Sequence, residues 1–328
     1  MLTLPQNTAS SSKNSSSFLD EISIARYQDT TTTKHYFQLL ENAFENGKLT
    51  SDQLTTILTQ ANKDGWSIGM FIARYQDAAT IKRYLKLLEK TLENAKLTSE
   101  QFTTILTQQN TIGKSSIGKI IAYYQNATTV LYYLKLLKNA SENGKLTSEQ
   151  LSTILAQQRN NNDGVSTGMI IAERQDITTQ QYLQLLENML KNEKLTSEQF
   201  TTILTQQDKE GLSIGTFITN HQDKTATRYY LKLLENTSEN GKLTSEQFTT
   251  IVTQQTQKDG WSVGMIIIDR QDVTTTQQYL QLLENMLKNK KLTSEQFTTI
   301  LAQQRNDGGS IGMIIARYQD TTTTQAYL

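Results

Sequence analysis

The tetrapeptide KLTS begins at Lys48, Lys96, Lys145, Lys194, Lys242 and Lys291, so the chain repeats itself at intervals of 48, 49, 49, 48 and 49 residues. A fixed period in this range is the signature of stacked repeats, each a small unit that buries its apolar face only against its neighbours. The fold question therefore becomes local: what does one repeat make?

The copy KLTSEQFTTILAQQRNDGGSIGMIIARYQD, from Lys291 to Asp320, shows the pattern most fully. Thr293 with Gln296 three residues later is a capping box, in which the Thr hydroxyl takes one orphan amide and the Gln reaches back to another. Phe297, Ile300 and Leu301 then lay an apolar stripe along a short amphipathic helix, as do Phe200, Ile203 and Leu204, or Leu151, Ile154 and Leu155. A polar turn ending in Gly follows, such as Asn62-Lys63-Asp64-Gly65 or Lys258-Asp259-Gly260, where Gly takes positive φ at low cost. A Ser then caps a second helix whose first two turns are apolar on nearly every side (Ile311, Met313, Ile314, Ile315), the pattern of a helix buried between neighbours. After Gln-Asp, a Thr-rich segment enters a third helix with a broad apolar face (Tyr279, Leu280, Leu282, Leu283, Met286, Leu287), and Asn-Gly at 46–47, 143–144 and 240–241 ends it in three copies. No strand pattern occurs. The expectation is an all-α protein, an α-solenoid of about six three-helix repeats of 48–49 residues. It would be right-handed, with the third helices as one outer layer and the second helices between them and the opening helices.

Residues 1–17 are Ser- and Asn-rich, hold the only Pro and lack apolar periodicity, so they read as a disordered N-terminus ahead of a single solenoid over 18–328. They also lack the basic start and apolar run of a secretory signal. No later segment has the 18 or more apolar residues of a membrane span. Phe18 to Asp29 resembles a degenerate second helix, the kind of polar cap that often begins a solenoid. The chain stops at Tyr327-Leu328, where other copies run on through the third helix, so the last repeat reads as truncated. Either the chain is a fragment of a longer protein or its final apolar face needs another cover, which leaves a monomer and end-to-end association both open.

Lys plus Arg is 32 and Asp plus Glu is 32, a formal charge of zero that argues against non-specific phosphate binding. Absence of Cys removes disulfide frameworks and thiolate metal sites, and His35 and His221 fall in different repeats, so neither a His metal site nor a catalytic triad assembles. No nonrepeated nucleophile, base and orienter occur together, which points away from an enzyme and implies no cofactor. Ser-Glu-Gln in the opening helix has the composition of an acid–base site, but its return at every opening-helix start, as Ser51-Asp52-Gln53 in the first, reads as a cap. Tyr84, Tyr133, Tyr182, Tyr230 and Tyr279 form a ladder that could stack bases; on an apolar helix face they read as core, with the hydroxyl at the rim. The Thr runs at Thr30–Thr33 and Thr321–Thr324 read as helix entry and solvated loop rather than modification sites.

Function must lie in the differences between copies. At the end of the second helix the frame is kept while a pair changes: Arg74-Tyr75, Tyr123-Tyr124, Glu173-Arg174, Asn220-His221, Asp269-Arg270 and Arg317-Tyr318. The residue after the turn Gly changes too, as Trp66, Lys114, Val165, Leu212, Trp261 and Gly309. Variable side chains in a constant frame read either as a surface facing a partner or as drift at exposed sites. The two Trp, residues enriched at binding hot spots, favour recognition. The partner-binding set is thus Trp66, Trp261 and the six pairs.

The segment NKDGWSIGMFIARYQD from Asn62, and its near-copy at 307–320, resembles the turn and first helix of an ankyrin repeat, over about a third of each copy. The resemblance implies that the variable pair and the residue after Gly contact a protein partner. Ile-Gly-Met stands where ankyrin repeats carry Pro-Leu-His, and the longer period is accounted for by an extra helix, the KLTSEQF helix. The near-identical, Asn- and Lys-rich copies are also similar to repeats in effectors secreted by intracellular bacteria of the Legionella type, which implies a host-cell protein as partner. A helical array that reads nucleic acid one repeat at a time, as TALE-like proteins do, also places a variable pair in a constant frame and is the alternative; those arrays are basic and have a shorter period.

Overall fold

The structure, a computed structural model, describes residues 30–158, 163–174, 176–220, 224–270 and 272–318. The stretch 1–29, expected as a tail and capping helix, and the stretch 319–328, which holds the second Thr run and the expected truncated helix, lie outside the described residues. The chain divides into two compact units, Met1–Lys145 and Leu146–Leu328. All regular structure among the described residues is α-helical; extended pairing is limited to isolated bridges such as Ala61 with Ser67.

In the first unit the helices are α1 (Thr30–Glu45), α2 (Ser51–Thr59), α3 (Ile68–Tyr75), α4 (Ala78–Glu93), α5 (Ser99–Thr107), α6 (Ile117–Tyr124) and α7 (Ala127–Glu142). The second unit holds α8 (Ser148–Ala156), α9 (Thr167–Arg174), α10 (Ile177–Lys191), α11 (Ser197–Thr205), α12 (Ile214–Asn220), α13 (Lys224–Glu239), α14 (Ser245–Thr253), α15 (Val263–Arg270), α16 (Val273–Lys288), α17 (Ser294–Leu301) and α18 (Ile311–Tyr318). Like packs on like within each unit. In the first, α2 lies against α5, α3 against α6, and α4 against both α1 and α7. In the second, α8, α11, α14 and α17 form one row, α9, α12, α15 and α18 another, and α10, α13 and α16 a third. The second helices touch the other two rows and form the middle layer of each unit.

Local chemistry explains the boundaries. The capping box closes at the start of α2, α5, α8, α11, α14 and α17, with Thr98 Oγ1 accepting from the Gln101 amide at 3.2 Å and Gln101 Oε1 accepting from the Thr98 amide at 2.9 Å as an example. The Ser before the second helix behaves differently from expectation. Ser67 and Ser116, both buried, sit at the cap position of α3 and α6 without a side-chain cap bond; Ser166, Ser262 and Ser310 accept only long bonds of 3.3–3.4 Å. Thr30–Thr33 open α1, as the reading of helix entry has it; in the other third helices Thr80, Thr129, Thr178 and Thr275 are buried in the first turn, and Asp77, Asn126, Asp176 and Asp272 before them accept from their amides. At the far end of the third helices, Gly47, Gly144 and Gly241 take φ near +68°, and Ala95, Glu193 and Lys290 adopt the same left-handed turn without being Gly.

Two sets of contacts join successive copies, and a third ties the helices within each. The turn Gly allows the next turn to stack on it: a Cβ on Gly65 would lie 2.6 Å from the Thr111 amide, and that amide donates to the Asp64 carbonyl at 2.9 Å. Lys209 to Asp163, Gln257 to Glu210 and Asn306 to Asp259 repeat the bond in the second unit at 3.0, 3.1 and 3.2 Å. Glutamines at the ends of the opening helices add side-chain rungs, as Gln108 Nε2 to the Thr59 carbonyl at 2.6 Å and Gln303 Nε2 to the Thr253 carbonyl at 2.6 Å. Finally, the Tyr ladder is core, as expected from its apolar face, but its hydroxyls do not reach the rim. Tyr84, Tyr133, Tyr182, Tyr230 and Tyr279 are fully buried, each hydroxyl packed on the second-helix glycine of its own copy (Gly69, Gly118, Gly168, Gly215, Gly264), with no hydrogen-bond partner. Burial raises all five phenols well above their ordinary pKa.

Candidate interaction surface

The second helices pass from core to surface along their own length. The first six residues of α3, α6, α9, α12 and α15 are all buried. The variable pair comes next, and there the exposure returns. Tyr75, Tyr123 and Tyr124 are 49%, 62% and 47% exposed. Glu173, Arg270 and Arg317 are exposed, while Arg74, Arg174, Asn220 and Asp269 are half-buried. The positions that vary are thus the positions a helix buried by its first six residues must leave to solvent. His221 lies outside the described residues, and nothing is described of the Tyr318 side chain.

The two tryptophans are not free anchors. Trp66 is half-buried, its ring 5.2 Å from Phe71 and 6.5 Å from Tyr75. Trp261 is also half-buried, under the guanidinium of Arg305 at 4.5 Å from the ring centre, and Arg305 in turn pairs with Asp307 at 2.7 Å. Trp66 leans back on the helix that follows it and Trp261 lies against the turn of the next copy, because a large apolar ring buries area wherever a neighbour offers it.

In the first unit the structure brings the chosen residues together. Arg74 links two copies: its guanidinium lies 5.8 Å from the Tyr75 ring centre and 3.1 Å from that of Tyr124, and Tyr123 meets Tyr124 edge to face at 4.6 Å. Trp66, Tyr75, Arg74, Tyr124 and Tyr123 therefore form one connected strip. Phe71 completes it from below, stacked 6.1 Å from Tyr75. Sequence reasoning passed over Phe71, although it breaks the Ile-Ile frame in the same copy that carries Trp66 and Tyr75, and that coincidence was the available signal. It also passed over Ile112, 71% exposed in the second turn.

In the second unit two of the same positions hold Arg residues that pair with carboxylates. Arg174 binds Asp176 at 2.9 Å, and Arg270 lies 3.9 Å from Asp269 and donates to the Asn220 carbonyl at 3.2 Å. Asp176 and Asp272 are also helix caps; burial pulls their carboxyls up, but the Thr bonds and nearby cations more than offset it, so both stay below the ordinary carboxylate range. The recess between α16 and α17, about 270 Å³ and lined by Leu280, Leu283, Phe297 and Leu301, contains none of the variable residues. Among the described residues no helix is long and apolar enough to cross a membrane. No protein-family model matches the chain, and no curated protein matches it.

Proposed function

We propose that the chain is a protein–protein interaction scaffold, an α-solenoid of about six three-helix, ankyrin-like repeats that presents the ends of its second helices and the adjoining turns to a protein partner. The observation that carries the reading is the switch within α3, α6, α9 and α15 from six buried residues to a pair of which at least one member is exposed, so that a variable side chain stands where a partner can reach it. Aromatic and Arg side chains at such places supply large contact area at small entropic loss, which is why they dominate binding hot spots. The host-cell setting implied by the resemblance to Legionella-type effectors belongs to the same proposal. Affinity capture from host-cell lysate tests it, using the full chain beside a variant with the pairs of α3, α6, α9 and α15 changed to Ala. Proteins retained by the first and lost from the second, at unchanged circular dichroism, support the scaffold; capture indifferent to the pairs refutes it.

A further inference from the structure

We propose that the strip of Trp66, Arg74, Tyr75, Tyr123 and Tyr124 in the first unit binds an extended acidic peptide segment of a protein partner. The inference rests on the reading of the chain as a protein-binding array, and adds where the partner sits and what charge it carries. Three observations lead to it. The strip is contiguous and holds the exposed tyrosines of its unit among the described residues, with Tyr123 the most open of its rings. The turns beside it each carry a lysine: Lys63 and Lys114 flank Trp66 and the exposed Ile112, and neither pairs with a carboxylate among the described residues. The acids nearby are few, since Asp64 shares the turn with Lys63 while Asp77 caps α4 and pairs with Lys34 at 3.6 Å.

The charge of the whole unit agrees. Met1–Lys145 carries 16 Lys and Arg against 12 Asp and Glu, a net of +4, whereas Leu146–Leu328 carries 16 against 20, a net of −4. The zero total conceals this division. An acidic segment is steered toward such a surface over roughly a Debye length, and the tyrosines then supply the apolar contact. The rings favour a peptide over stacked bases. Tyr124 is covered by the Arg74 guanidinium and Tyr123 and Tyr124 are set edge to face, so ring faces that bases would stack on are used inside the strip. At the equivalent places the second unit offers Arg174 and Arg270, both bound to its own carboxylates.

Selection of a displayed library of random linear peptides on the immobilised full chain tests the proposal. The expected result is enrichment of Asp- and Glu-rich sequences that also hold apolar residues, with affinity that falls as salt rises. Tyr75→Ala or Tyr124→Ala should weaken the enriched peptides at least about tenfold, at unchanged circular dichroism, while Glu173→Ala leaves them unchanged. Basic or neutral enriched sequences, or binding indifferent to the tyrosines, overturn this proposal. Binders that respond to Glu173 or Arg270 instead overturn it and leave the scaffold reading standing. Absence of any peptide binder that responds to a variable pair overturns both. Binding of a fluorescent oligo-dT through the same tyrosines, in place of peptides, overturns it in favour of single-stranded nucleic acid.

Discussion

Asp208 occupies the place in its turn that Asn62 holds in an earlier one, and does the same work with a charge added. Its Oδ1 accepts from the Glu210 and Leu212 amides at 2.9 and 2.8 Å, as Asn62 Oδ1 accepts from Asp64 and Trp66 at 3.0 and 2.9 Å. Burial raises the Asp208 carboxyl and its backbone donors only partly offset that, so its folded-state pKa stands above the ordinary value. A raised carboxylate destabilises the folded state wherever it is ionised, and the penalty fades as pH falls through the folded value toward the unfolded one near 3.9. Asp208→Asn should therefore stabilise the protein at pH 7, with the gain vanishing by about pH 3, as read from urea unfolding at the two pH values. A loss of stability at pH 7 would sink this account. Lys290, at φ +57°, has the complementary problem, since Gly47, Gly144 and Gly241 take the same turn with no side chain to strain. Lys290→Gly should raise stability by about 1 kcal/mol, a gain that thermal unfolding would detect. The Asn-Gly endings were legible in the sequence because Gly announces a left-handed residue; Ala95, Glu193 and Lys290 were not, because position in the repeat and not residue type forces them.

Within one copy, the second and third helices meet at a glycine and a buried phenol. A methyl at Gly168 would overlap the Tyr182 hydroxyl, which has no hydrogen-bond partner of its own. Gly168→Ala should cost about 1–3 kcal/mol through overpacking. Adding Tyr182→Phe should restore most of that loss, because removing the hydroxyl opens the space the methyl needs and deletes an unpaired buried polar group. A double-mutant cycle that came out additive would show that the two groups do not touch. The helices themselves could be read from capping boxes and apolar spacing, and among the described residues helices stand where the pattern put them. The fate of the Tyr hydroxyl could not be read that way: it depends on the distance between two helix axes, which neither helix's own sequence contains.

At the scale of the molecule, stability should follow neighbours. Phe200 is fully buried, whereas its counterpart Phe297, in the last opening helix, is half-buried and lines the recess beside α16. Phe200→Ala should cost about 3–5 kcal/mol and Phe297→Ala clearly less, because less area leaves water there. Equal losses in chemical denaturation would argue against nearest-neighbour coupling. The repeat period told how many helices to expect and which face of each is apolar. It did not tell that the chain divides into two units, or that Arg74 bridges Tyr75 and Tyr124 in one while Arg174 and Arg270 pair with carboxylates in the other, since these follow from contacts in space. The central claim is that the pairs at the second-helix ends exist to bind and contribute little to folding. Its most direct test exchanges them: Arg74-Tyr75 and Tyr123-Tyr124 replaced by Glu-Arg and Asp-Arg, the pairs of α9 and α15, followed by calorimetric titration of a partner captured by the native chain and by thermal unfolding. The account predicts an unfolding temperature within a few degrees of the native chain and affinity lowered at least about tenfold. Affinity unchanged by the exchange, or a chain that no longer folds, would contradict it.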